Sequence, residues 1–131
     1  MSYKLLVVDD EDSILFAMKE YFTLHDCEVD CARELEEAAA LLEHRQYAAV
    51  IADLRLTGSY CTEGLHIISE VRQRCPATRI ILLTAYGSNE IEEQARARGV
   101  DILLRKPKPL AEIAQIVFTL LERGYEKPLS A

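Results

Sequence analysis

Several features are scarce or missing in this chain of 131 residues. No apolar run approaches the roughly 20 residues that a membrane-spanning helix needs. The opening Met-Ser-Tyr-Lys-Leu-Leu-Val-Val turns to Asp-Asp where a secretion signal would stay apolar. No membrane association and a cytoplasmic location are therefore expected. No Lys/Arg block exceeds two residues, and 15 basic residues against 22 acidic ones leave a formal charge of −7. Such a balance speaks against direct nucleic-acid binding by this domain. The four cysteines (Cys27, Cys31, Cys61, Cys75) form no Cys-x-x-Cys pair and no Cys/His cluster of zinc spacing. Cys27, Val29 and Cys31 alternate with Glu28 and Asp30, which reads as small hydrophobes on the inner face of a strand. Internal repeats, low-complexity tracts and Pro/Gly/Ser-rich linkers are lacking too.

What is present suits one globular domain. Half the residues are apolar and 28% are charged, with both signs mixed, enough for a core in a body of about 14 Å radius of gyration. Short apolar runs alternate regularly with helical patterns. The runs Lys4–Val8, Ala48–Ala52, Arg79–Leu83 and Ile102–Leu104 read as strands covered on both faces, and the alternating Cys27–Cys31 reads as an edge strand. Between and after them, apolar residues at helical spacing mark Ser13–His25, Arg33–Arg45, Gly64–Arg74, Asn89–Arg98 and Leu110–Arg123. The segment Asn89–Arg98 has the weakest apolar face, little beyond Ile91, and is expected to be the most mobile. The pattern predicts an α/β fold, a doubly wound sheet of five parallel strands, with ligands at the C-terminal strand ends.

Those ends are chemically distinctive. Asp9-Asp10-Glu11-Asp12 follows the first strand, Asp53 the third, Thr84 the fourth and Lys106-Pro107 the fifth. With the first and third strands adjacent, Asp9, Asp10 and Asp53 come within about 5 Å, and each like-charge pair costs on the order of 3 kcal/mol at an effective dielectric of 20. Such a cluster requires a cation, either Lys106 or a hard divalent ion such as Mg²⁺. A carboxylate beside both is placed to attack a phosphoryl group in line, with Thr84 donating to a phosphoryl oxygen. Asp53, alone at its strand end, is the candidate nucleophile; the paired Asp9 and Asp10 belong to the metal side.

The ordered set VVDDE, IADLRL, ILLTAYG and LLRKPKPL resembles the receiver domain of two-component response regulators over about residues 3 to 124. Residues 125–131 are then a tail or the start of a linker. The resemblance implies a flavodoxin-like (βα)5 fold with strand order 2-1-3-4-5. The rule on strand-end ligands was itself drawn partly from a chemotaxis receiver and flavodoxin, so it adds no independent support. By resemblance, Asp53 is the phosphoacceptor. Asp10 and Asp53 with the backbone carbonyl of Arg55 bind Mg²⁺ or Mn²⁺, and Asp9 holds metal-bound water. Thr84, Lys106 and the Ala85 backbone contact the phosphoryl group, and the bond before Pro107 is usually cis. The implied function is that of a phosphoacceptor rather than an enzyme. A sensor histidine kinase or phosphotransfer protein donates to it. Phosphorylation then remodels the face formed by the fourth helix, fifth strand and fifth helix, which contacts a target or output domain. The same helices leave room for a homodimer.

Three departures from the family pattern stand out. Leu103 occupies the switch position where an aromatic is usual, so no ring-flip with a hydroxyl tip is available. The loop after Asp53 reaches Gly64 in eleven steps, longer than is usual, with Thr57 in place of a common Pro and extra residues around Ser59, Tyr60 and Cys61 beside the site. Arg55 and Tyr86 occupy the variable positions that tune hydrolysis, and their bulk implies slow self-dephosphorylation at most. Two alternatives remain on the residues alone. One is a degenerate receiver that binds partners without phosphorylation; the other is a haloacid-dehalogenase-type phosphatase with Asp10 as nucleophile. A flavin module is opposed by the acidic loop, where a phosphate cradle would need Gly, Ser and Thr.

Overall fold

The structure is a computed structural model that describes residues 3–53, 59–84 and 89–122, with the side chains of 59–63, 89 and 91 outside that description. Leu54–Gly58, Ala85–Ser88 and the C-terminal 123–131 therefore lie outside it, and with them Arg55, Thr57, Ala85, Tyr86 and the tail. Among the described residues ten elements alternate: β1 (Lys4–Val8), α1 (Asp12–Leu24), β2 (Glu28–Ala32), α2 (Leu35–His44), β3 (Ala49–Asp53), α3 (Ser59–Arg74), β4 (Arg79–Thr84), α4 (Asn89–Ala97), β5 (Ile102–Arg105) and α5 (Leu110–Glu122). The strands form one parallel sheet in the order β2-β1-β3-β4-β5. The expected order and the edge position of β2 are both found.

Why the central strands are continuously apolar follows from their side-chain period of two. Leu5 and Val7, Ile51, and Ile81 and Leu83 enter one core with Leu15, Met18 and Phe22 of α1 and Ile113, Val117 and Leu121 of α5. Their neighbours Leu6 and Val8, Val50 and Ala52, and Ile80 and Leu82 enter a second core with Ala38 of α2, Leu65, Ile68 and Val71 of α3, and Ala95 of α4. Cys27 and Val29 are buried in the first core and Cys31 packs against it, so these residues act as small hydrophobes. Burial raises the pKa of both thiols, with the charges of Asp26 at Cys27 and Asp30 at Cys31 adding to it.

Most boundaries shift by one or two residues from the sequence reading, so that Asp53, Thr84 and Arg105 close their strands, and the shifts at β2 and α3 have identifiable causes. β2 begins at Glu28 rather than Cys27, because the Cys27 N–H donates back to the Phe22 carbonyl at 3.0 Å and closes the end of α1. α3 begins at Ser59, five residues before Gly64. Gly64 is a buried interior position of the helix rather than its start. Interior Gly costs about 1 kcal/mol against Ala, and the buried stripe of Leu65, Ile68 and Val71 that follows outweighs it. Ser59, Tyr60 and Cys61 thus belong to the first turn of α3.

The ends of the strands opposite the acidic loops are tied by one guanidinium. Arg72 of α3 donates to the carbonyls of Pro76 (2.7 Å), Thr78 (2.9 Å) and Gly99 (2.6 Å) and to Asp101 Oδ2 (2.8 Å). Asp101 also accepts the Ile80 N–H at 2.7 Å. Gly99 takes φ +112, and a Cβ there would sit 2.7 Å from Arg72 Nε, so only glycine suits the turn into β5.

Candidate functional site

β1 and β3 are directly paired, with Val8 opposite Ala52. Asp9, the residue after β1, and Asp53, the last of β3, therefore emerge side by side. Ligand-type oxygens of Asp9, Asp10 and Asp53 all lie within 4.8 Å of one another. Asp10 is exposed, Asp53 half-buried, and Asp9 buried at 2% exposure. The Asp9 N–H donates to the Ala32 carbonyl at 3.0 Å, and Asp9 Oδ1 accepts the Glu11 N–H at 2.9 Å. β5 delivers the counter-charge: the Lys106 N–H donates to the Thr84 carbonyl at 2.8 Å, while its ammonium donates to Asp53 Oδ2 at 2.5 Å and stands 3.6 Å from Asp9 Oδ2. Thr84, the last residue of β4, is buried at 1% exposure. The Lys106–Pro107 peptide bond is cis.

Electrostatically the cluster is unbalanced. Burial pushes the Asp9 carboxyl above the ordinary carboxylate range. The charges of Asp53 and Asp10 add to this, against the Glu11 N–H and Lys106, which act the other way. At Lys106 burial works to lower the pKa, but the hydrogen bond to Asp53 and the charges of Asp53 and Asp9 outweigh it and raise the value. One ammonium thus serves two carboxylates, close on Asp53 and 3.6 Å from Asp9. Asp9 Oδ2, fully buried, accepts no hydrogen bond among the described residues. A buried carboxylate oxygen left in that state is costly, and an all-oxygen donor set of three acids is what Mg²⁺ or Mn²⁺ takes. The residues present fit such an ion.

The match to the model of the response regulator receiver domain covers residues 5–118. The chain belongs to this family. Its receiver domain is 31% identical over 118 residues to the response regulator protein PilR of Pseudomonas aeruginosa, covering 90% of this chain and 26% of that protein. It is 32% identical over 121 residues to the transcriptional regulatory protein ResD of Bacillus subtilis, covering 92% of this chain and 49% of that one. The chain thus spans about a quarter to a half of these relatives' length. The BeF3-activated DrrB receiver domain superposes with a TM-score of 0.80 at 25% identity, over 94% of this chain and 100% of that one. The signal receiver domain of an HD domain-containing protein from Pseudomonas fluorescens shares the fold, with a TM-score of 0.81 at 24% identity over 94% and 97% of the two chains.

Of the residues singled out in the sequence, the receiver fold brings Asp9, Asp10, Asp53 and Lys106 together and sets Thr84 beside Lys106. Arg55, Ala85 and Tyr86 lie outside the described residues. Leu103 pairs with Leu82 and packs, half-buried, on the core between the sheet and α2, α3 and α4. Among the described residues no helix is long and apolar enough to cross a membrane. One feature went unread in the sequence. Glu92 of α4 is buried at 4% exposure and accepts a hydrogen bond from Arg105 at 2.6 Å, so Arg105, the residue before Lys106, also has an inward partner. Nothing in the local sequence marks Glu92, because the partner that selects it lies thirteen positions away.

Proposed function

We propose that Asp53 is a phosphoacceptor, loaded by a sensor histidine kinase or phosphotransfer protein, and that the receiver unit, residues 1–124, uses this modification to control a target or output domain. The observation that carries the reading is the cluster itself: three carboxylates within 4.8 Å, one ammonium bonded to Asp53, and a buried Asp9 oxygen with no hydrogen bond among the described residues. Asp53 attacks phosphorus in line; the new O–P bond forms as the bond to the donor's histidine nitrogen breaks. Asp9, Asp10 and Asp53 with the Arg55 carbonyl would hold Mg²⁺ or Mn²⁺, which supplies positive charge to the transferring phosphoryl oxygens. Lys106 neutralises a further oxygen from the opposite side, and the Thr84 hydroxyl donates to another.

The acyl phosphate brings close to two negative charges to the crevice. Lys106 and Thr84, whose strands run directly under α4 and α5, follow that charge. With Leu103 at the switch position the response travels through packing and loop movement to the face formed by α4, β5 and α5, where the target binds. The domain stores the phosphoryl group rather than turning substrate over.

Treatment with acetyl phosphate, with and without Mg²⁺, followed by intact-mass measurement tests this. One Mg²⁺-dependent phosphoryl gain is expected in the wild type and none in Asp53→Asn. No gain in either protein points to a degenerate receiver; a gain that moves to Asp10 points to the phosphatase reading.

A further inference from the structure

Among its described side chains α4 has almost no apolar anchor. Ala95 is fully buried, and the other buried group is the carboxylate of Glu92. Its partner Arg105 is 61% exposed along its side chain while Glu92's side chain is 5% exposed, so the pair has one end under the helix and the other in water. Arg105 is the residue through which β5 meets the site. It pairs with Thr84 across the β4–β5 ladder, and Lys106, which grips Asp53, is the next residue. A second tether sits at the other end of α4, where Arg98 donates to Ser69 Oγ at 3.1 Å and to the Leu65 carbonyl at 3.4 Å of α3.

We propose that the Glu92–Arg105 pair is the latch that holds α4 on the sheet in the unphosphorylated domain and releases it when Asp53 is modified. The proposal rests on the phosphoacceptor reading of Asp53 and names how that site is read out. An ion pair with one partner buried and the other largely in water gives little net stabilisation over its separated, solvated ions. So far as its described side chains hold it, α4 leaves the sheet at little cost, whereas a helix anchored there by large aliphatic side chains would have to expose them. That near balance is what a two-position element requires. The trigger is adjacent. A phosphoryl dianion on Asp53 draws in Lys106 and Thr84, which move the neighbouring and paired Arg105, and the new charge competes with Glu92 for the guanidinium. The route needs no aromatic at position 103, where this chain has leucine.

Amide hydrogen exchange over residues 89–97, read in the full chain before and after acetyl phosphate with Mg²⁺, tests the latch. In the unmodified protein Arg105→Ala should raise exchange of α4 by about tenfold or more, while β1 and β3 stay protected. Arg105→Lys, which keeps the charge on a shorter reach, should fall between it and wild type and serves should the alanine variant not fold. Glu92→Leu should do the opposite, holding α4 protected and abolishing the rise that phosphorylation produces in wild type. Unchanged α4 exchange in both Arg105 variants, or a full phosphorylation response in Glu92→Leu, overturns the latch. A wild type that is phosphorylated with no change in α4 overturns it as well. Absence of any phosphoryl uptake overturns the phosphoacceptor reading and the coupling together, and the measurements on unmodified protein separate that failure from failure of the tether.

Discussion

Replacing Asp9 by asparagine should stabilise the receiver domain in metal-free buffer, although it removes a charge that faces a lysine. At an effective dielectric of 20, the attraction between Asp9 and Lys106 at 3.6 Å amounts to about 4.6 kcal/mol. The repulsion from Asp53, within 4.8 Å, is at least about 3.5 kcal/mol on the same basis, and exposed Asp10 adds about 1 kcal/mol at the dielectric of water. These nearly cancel. What remains is the cost of a buried carboxylate oxygen without a hydrogen bond, about 1–3 kcal/mol. Asparagine keeps the acceptor for the Glu11 N–H and offers an amide donor to its acidic neighbours. The expected gain is about 1–2 kcal/mol, or about 3–10 °C in melting temperature. The pH dependence has a definite sign. The Asp9 carboxyl is raised above its ordinary value of 3.8, so the protonated form stabilises the fold, and wild type loses this stability as pH rises through the folded value. The advantage of the variant should therefore be present near neutral pH and vanish below about pH 4. Thermal melts in EDTA across that range, repeated with Mg²⁺, give the assay. Mg²⁺ at ten times its dissociation constant should add about 1.4 kcal/mol to wild type and distinctly less to the variant. A variant less stable than wild type in EDTA, or one with an undiminished Mg²⁺ increment, would refute the reasoning.

Three further expectations follow from other parts of the molecule. Gly99→Ala forces a Cβ to 2.7 Å from Arg72 Nε at φ +112 and should cost about 2–4 kcal/mol; a chemical-denaturation midpoint equal to wild type would contradict the described turn. The Tyr47 hydroxyl donates to Asp30 Oδ2 at 2.6 Å, and burial, the hydrogen bond and the Asp30 charge hold its pKa above the usual 10. Wild type should therefore lose stability as pH climbs beyond 10, whereas Tyr47→Phe, about 1 kcal/mol weaker at neutral pH, should show a flatter alkaline limb in the same titration. Phosphorylated protein freed of donor should lose its phosphoryl group slowly, as the family resemblance implies for bulky residues at the positions of Arg55 and Tyr86; a lifetime of seconds by intact mass would contradict this.

Most of the architecture is legible in the sequence because burial on both faces of a parallel strand leaves an unbroken apolar run. Leu5–Val8 and Ile80–Leu83 could belong to little else, and the alternation across Cys27–Cys31 betrays one edge strand; β5, the other edge, reads as covered on both faces although Ile102 and Leu103 are only half-buried. The acids and the lysine are legible for a related reason: apolar strands make the polar residue at each end conspicuous. Legibility fails where the decisive partner is remote. Gly64 looks like a helix start locally, yet α3 is set by the apolar stripe it packs with. Glu92 is one of three glutamates among the nine residues of α4, and nothing nearby marks which one is buried; its selection depends on Arg105, thirteen positions away. Arg72 likewise gains its role from Gly99 and Asp101, brought close only by the sheet.

The central claim is that Asp53, beside Asp9, Asp10 and Lys106, takes a phosphoryl group as an acyl phosphate. Reduction with borohydride immediately after phosphorylation converts such an aspartate to homoserine, and peptide sequencing by mass spectrometry then locates it. The account predicts homoserine at position 53 only in samples that received both phosphodonor and Mg²⁺. Homoserine at position 9 or 10, or an unmodified Asp53 in a protein that has gained a phosphoryl group, would contradict it.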